Sequence, residues 1–153
     1  MITNISNPSI TEIRAWAFSD TYLPTTEWDL YLVWKDELLL FLELAVDHKC
    51  NKQNYFKYLL YYMVAYQFKR LSDPFEKTLV LQRYLSESKQ IKYGDIRIWR
   101  NEIIALQRNI HSFSYDVWIE KGLIYHKAFC LSQIPVDTLP QQTLYEIVVL
   151  NIY

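Results

Sequence analysis

GDIRIWRNEIIALQRNI, residues 94–110, places Ile96, Trp99, Ile103, Leu106 and Ile110 at alternating spacings of three and four. Side chains three and four apart stand on one face of a helix, so this stretch reads as a helix with a single apolar stripe. Gly94-Asp95 supplies its stop-and-cap signal. The same period recurs in both directions along the chain. Towards the C-terminus, Ser112 or Ser114 caps a helix from Tyr115 to about Ser132, and Pro135 and Pro140 bracket a turn before a last segment, 141–153. That segment is rich in Ile and Val, but a lone strand has no partner, so helix is expected there.

Towards the N-terminus, Asp73-Pro74 pairs a capping acid with proline at the first helical position and opens a helix to about Ser88. Before it lies a tyrosine-rich helix from Tyr55 to about Leu71, capped by Asn51 or Asn54 after the polar break His48–Asn51. Thr25 or Thr26 caps a long helix running to about Asp47, with Glu27 and Asp29 in the first turn where the helix dipole favours acids. Its stripe of Leu30, Val33, Trp34, Leu38, Phe41, Leu44 and Ala45 is widened by Leu39, Leu40 and Leu42, which marks it as the central helix. Ile10–Phe18 forms a short first helix with Ile10, Ile13, Trp16 and Ala17 on its apolar face, after a polar lead-in, residues 1–9, that is free to move. The expectation is all-α: a single domain over 1–153, a compact bundle of six or seven antiparallel helices, with a short α-solenoid as the alternative.

Composition agrees with helices. The chain of 153 residues is 51% hydrophobic, far from the regime in which chains stay disordered. Only Gly94 and Gly122 are glycine, so turns that need positive φ have almost nothing to build them. No apolar run approaches the length of a membrane span, because Leu38–Val46 is cut by Glu43 and flanked by charge. Residues 1–9 lack the basic and apolar regions of a signal peptide, and Cys50 and Cys130 are too few for a disulfide framework. A soluble, cytoplasmic chain with free thiols is expected.

The scarcity of glycine excludes phosphate-binding loops of the GxxxxGK[ST] or GxGxxG kind, and no GxSxG, HExxH or CxxC occurs. Four residues offer weak metal ligation: His48 and Cys50 in a loop, and His126 and Cys130 spaced i, i+4 on one helix face. Should the loop meet that helix, two His and two Cys would close a tetrahedral site; otherwise Cys130 is packing and the rest are surface groups. A Cys nucleophile with a His base draws on the same residues, without an identifiable orienting group. Asp36 and Glu37 diverge by about a hundred degrees on a helix and cannot share a proton. Glu43, set in an apolar run, is either buried and perturbed or paired with a base of the middle segment. Arg97, Arg100 and Arg108 fall within about eighty degrees around their helix, a basic stripe, but a pI near 6.3 argues against nucleic-acid binding as the chain's role.

The charge is lopsided: residues 1–50 hold eight acids against three bases, and residues 51–130 hold thirteen bases against seven acids. Together with thirteen tyrosines and five tryptophans, residues that anchor interfaces, this favours a protein partner over a cofactor or a catalytic role. The 19–29 loop sets aromatic anchors among acids, and Asp20, Tyr22, Glu27, Trp28, Asp29, Asp36 and Glu43 are the expected partner-binding residues. In size, charge and lack of motifs the chain is similar to small helical immunity proteins, a likeness of type with no shared motif. That reading implies an inhibitor or antitoxin that binds a basic, nuclease-like toxin directly. A phage- or virus-type adaptor or antagonist of a host protein, and a small His/Cys metal protein or enzyme, are the alternatives.

Overall fold

Ser9 opens the first helix. Its hydroxyl accepts from the Glu12 backbone N–H at 3.1 Å while the Glu12 carboxylate accepts from the Ser9 N–H at 3.0 Å, a reciprocal cap that satisfies two otherwise orphaned donors. The computed structural model describes residues 2–133, so the segment 141–153 expected to be helical, and the proline turn before it, lie outside the described residues. Seven α-helices follow one another: α1 Ile10–Ala17, α2 Trp28–Lys35, α3 Leu38–Val46, α4 Gln53–Arg70, α5 Pro74–Ser88, α6 Gly94–Arg108 and α7 Tyr115–Ser132, with a 3-10 turn at Ile110–Ser112 before the last. Among the described residues there is no strand.

The long helix expected over 26–47 is two helices. Asp36 adopts φ 56° and ψ 43°, the left-handed conformation that ends a helix, and its N–H reaches back to Leu32 O and Val33 O. Asp tolerates this region better than most residues. Its carboxylate is then held by both Arg83 Nη atoms, at 2.7 and 2.9 Å, from α5. The apolar pattern runs through the break without interruption, so periodicity could not reveal it. The turn at Asp36 frees α3 to lay Leu38, Leu40, Phe41, Leu42, Leu44 and Ala45 in the core.

The central helix is α4, not the stretch 26–47. Its buried residues, among them Tyr55, Phe56, Leu59, Leu60, Met63 and Val64, surround its axis, and α2, α3, α5, α6 and α7 all pack against it. A helix apolar all round belongs inside a bundle. This hub arrangement also removes the solenoid alternative, in which each unit touches only its neighbours in sequence. The longest contact is with α7, and it runs antiparallel: Tyr55 meets Phe129 at 5.0 Å between ring centroids, Tyr58 meets His126 at 4.7 Å, Tyr61 meets Trp118 at 5.7 Å, and Lys69 lies over Tyr115 at 4.6 Å. Gly122 is what lets the two backbones approach. A Cβ there would stand 3.0 Å from Tyr61 Cβ and 3.3 Å from Tyr58 O.

On another side of α4, α5 and α6 form a pair. The stripe of α6 is buried as its sequence requires, at Ile96, Trp99, Ile103 and Leu106. Trp99 donates to Leu60 O at 3.0 Å and stacks on Tyr84. Arg100 closes the last turn of α5 by donating to Leu85 O at 2.6 Å and to Ser88 Oγ. The start signals at Ser9, Asp73 and Ser114 each make their side-chain cap, whereas α2, α4 and α6 begin without one. Residues 2–9 are tied down rather than free: Thr3 N–H donates to Glu12 Oε2 at 2.5 Å and Lys35 donates to Asn7 Oδ1 at 2.9 Å.

Two pairs of variants test this architecture by thermal or denaturant unfolding. Gly122→Ala should cost about 1–3 kcal/mol, because the new methyl meets backbone and Cβ atoms that cannot rotate away, while Gly94→Ala, with nothing within 4 Å of the added carbon, should stay within about 0.5 kcal/mol of the parent. Asp36→Ala loses both the Arg83 pair and tolerance of positive φ, whereas Asp36→Gly loses only the pair. The alanine variant should therefore be the less stable by about 1 kcal/mol.

Candidate functional site

The segment from Phe18 to Glu27 joins α1 to α2 and carries most of the exposed candidates. It is pinned from below. Ser19 O accepts the ammonium of Lys52, a lysine with 0% of its surface exposed, whose Nζ also lies 5.0 Å from the Trp16 ring centroid. Burial pushes the Lys52 pKa down, with the Asp20 carboxylate among the charges opposing the shift. Trp16 in turn donates from Nε1 to Tyr22 O at 2.9 Å, and Ser19 Oγ bonds both Trp16 O and the Thr21 N–H. A loop fixed at Ser19, Thr21 and Tyr22 loses little entropy on binding.

Beside this loop runs an open groove of about 580 Å³. Ile2, Ile5, Ala15, Trp16 and Pro24 form its apolar walls, and Thr11, Ser19 and Thr21 supply hydroxyls. Glu12 lines one edge, its carboxyl held down to about 2 by the backbone N–H groups of Ser9 and Thr3, so that edge carries a negative charge at any physiological pH. Asp20 is exposed between two lining residues, and Phe18 and Tyr22 are 43% and 46% exposed on the same segment. The groove was missed in the sequence. Its one signal is Ile2 and Ile5, three residues apart in an otherwise mostly polar lead-in.

The expected partner-binding residues divide. Asp20, Tyr22 and Glu27 are exposed; Glu27 accepts from the Tyr31 hydroxyl at 3.2 Å, and Tyr22 stacks its ring parallel to Phe129 at 5.6 Å. Trp28 is withdrawn completely, at 0% exposure, edge-on to Trp16 at 5.5 Å in the core. Asp29 is half-buried and accepts from the Tyr58 hydroxyl at 2.7 Å. Asp36 is committed to Arg83, and Glu43 is exposed but clasped by both Arg14 Nη atoms at 2.8 and 2.7 Å, which lowers its pKa. Its partner comes from α1 rather than from the basic middle of the chain. Of the eight acids in residues 1–50, Asp36 and Glu43 are held in ion pairs with arginines, while Glu12, Asp20 and Glu27 lie at the groove or on the loop beside it.

The four metal candidates do not converge. His48 is exposed, with its ring 6.2 Å from that of Tyr93. Cys50 is buried and its thiol donates to Ala17 O at 3.5 Å, burial pushing its pKa up. His126 and Cys130 do adjoin on α7, at 3.5 Å between Nδ1 and Sγ. Among the described residues no three His, Cys, Asp or Glu side chains gather as metal ligands. The arginine stripe of α6 is likewise broken, since Arg100 is spent on α5 while Arg97 and Arg108 face solvent. No described helix is long and apolar enough to cross a membrane. Against this background of geometry, no protein-family model, no curated protein and no solved structure matches the chain.

The charge on the groove edge has a pH signature. Glu12 has its folded pKa lowered, so the contribution of its cap is complete above the ordinary glutamate range and is lost as pH falls through about 2. Amide shifts of Thr3 and Ser9, followed by NMR, should titrate with a midpoint near 2, and in Glu12→Gln that titration should vanish. A midpoint near 4.5 would show that the lead-in does not hold the carboxylate.

Proposed function

We propose that this chain is a protein-binding module of the immunity or inhibitor kind, which neutralises a basic, nuclease-like toxin or effector by binding it directly through the groove and the 18–27 segment. The observation that carries the reading is the conjunction of an apolar groove with a carboxylate held ionised at its edge and exposed Asp20 and Glu27 on a pinned loop. An apolar side chain flanked by Lys or Arg is the complement of that surface. Apolar anchoring in the groove would slow dissociation, and the acids would speed encounter with a cationic partner. Tyr22, rigid and amphipathic, is suited to the anchor ring at the margin.

The experiment uses the full chain as bait in its native cell and then the purified partner in binding kinetics. A basic, stoichiometric partner is expected. Asp20→Lys with Glu27→Lys should lower the association rate about tenfold at low salt and flatten its salt dependence, while Ala15→Trp, filling the groove from an exposed position, should raise the dissociation rate by at least that factor. An acidic partner, or an Ala15→Trp variant that binds like the parent, would overturn the reading.

A further inference from the structure

The i, i+4 pair on α7 is joined by a third group from a distant part of the chain. Cys130 Sγ lies 3.5 Å from His126 Nδ1 and 3.4 Å from the Tyr22 hydroxyl, and the cysteine is only partly covered. The imidazole is gripped by aromatic rings of α4, edge-on to Tyr58 at 4.7 Å and against Tyr55 at 6.0 Å, which fixes its orientation. We propose that Cys130 is a covalent modification site: a nucleophilic thiol, with His126 as its base, that exchanges with small disulfides of the glutathione-disulfide class. The proposal does not rest on the docking reading, although Tyr22 borders both sites.

In the exchange, His126 Nδ1 takes the thiol proton as Sγ attacks one sulfur of the disulfide. The Sγ–S bond forms, the original S–S bond breaks, and the departing sulfur keeps the electron pair and receives the proton from His126. Cys130 is oxidised to a mixed disulfide and the departing half is reduced to a thiol. For this the imidazole must be neutral. Burial lowers the His126 pKa, with the charge of Asp29 on α2 opposing the shift, so the ring is an acceptor at neutral pH. The other titratable groups facing the pair stay protonated throughout: Tyr22 is pushed up to about 12 by its contact with Cys130, and burial raises Tyr55 and Tyr58 on α4. Cys50 provides an internal contrast. It is buried, and its thiol is turned to Ala17 O.

The test treats the folded full chain with 5,5′-dithiobis(2-nitrobenzoate) and locates the label by peptide mass. Cys130 should react at least tenfold faster than Cys50. Between pH 7 and 8 its rate should be nearly level, because neutral imidazole carries the proton, whereas an unassisted thiol gains about tenfold per pH unit. His126→Gln should be slower at pH 7 by about tenfold and should acquire the steep slope. Cys50→Ala, which leaves the pair untouched, should retain the fast reaction and its level profile, and with the parent profile it decides the matter if the His126 variant fails to fold. Equal labelling of the two cysteines, a steep profile in the parent chain, or a steep profile in Cys50→Ala would each overturn the proposal.

Discussion

The close approach of α4 and α7 at Gly122 is the constraint on which the rest of the structure hangs. With a Cβ at 3.0 Å from Tyr61 Cβ, any other residue would push the helices apart, and the rings above and below would lose their seats together. Tyr61 and Trp118 pack above that point, Tyr58 and His126 below it. One end of the contact carries Phe68 against Phe113; the other carries Phe129, on which Tyr22 rests. The only glycine inside a long helix therefore sets the spacing for the aromatic core and, through Phe129, for the loop that borders the groove. The tyrosine wealth of α4 follows from the same contact: the rings fill a wide interhelical seam, and Tyr58 places its hydroxyl on Asp29 at the margin.

The helices were legible where local signals and burial agree. The stripe Ile96, Trp99, Ile103, Leu106 lies in the core, and Asp73-Pro74 and Ser114 start helices as capping chemistry requires. The break at Asp36 was not legible, because it depends on a side chain 47 residues away and leaves the apolar period intact. The hub was misread for a related reason. A run of leucines looks more central than a run of tyrosines, yet Tyr55, Tyr58 and Tyr61 are each buried on α4 while Leu39 is 61% exposed.

Of the candidate site, Asp20, Tyr22 and Glu27 could be placed from the acids and aromatics of one loop. Trp28, Asp36 and Glu43 could not be told apart from them, since their fates are decided by Trp16, Arg83 and Arg14, which are remote or on another helix. One pair also bridges the two charge segments: Arg83, a cation from the basic middle, neutralises Asp36 of the N-terminal third. Exposed pairs such as Arg14–Glu43 contribute only about 0–1 kcal/mol to stability. Their larger effect is on the surface field, from which they remove the charges of Asp36 and Glu43.

The stacking of Tyr22 on Phe129 joins positions 107 residues apart in the chain, and with Tyr22 and Cys130 it closes the largest loop of contacts described. Contacts of such sequence separation form late, because the entropy of closing the intervening loop has to be met first. On a ribosome the first helix and its loop can pack on α2 and α4 as these emerge, but the Tyr22 ring finds its seat only once α7 has been made. A fragment that stops short of Phe129 keeps every residue of the groove and lacks the seat of Tyr22, so groove and rim are separable in assembly.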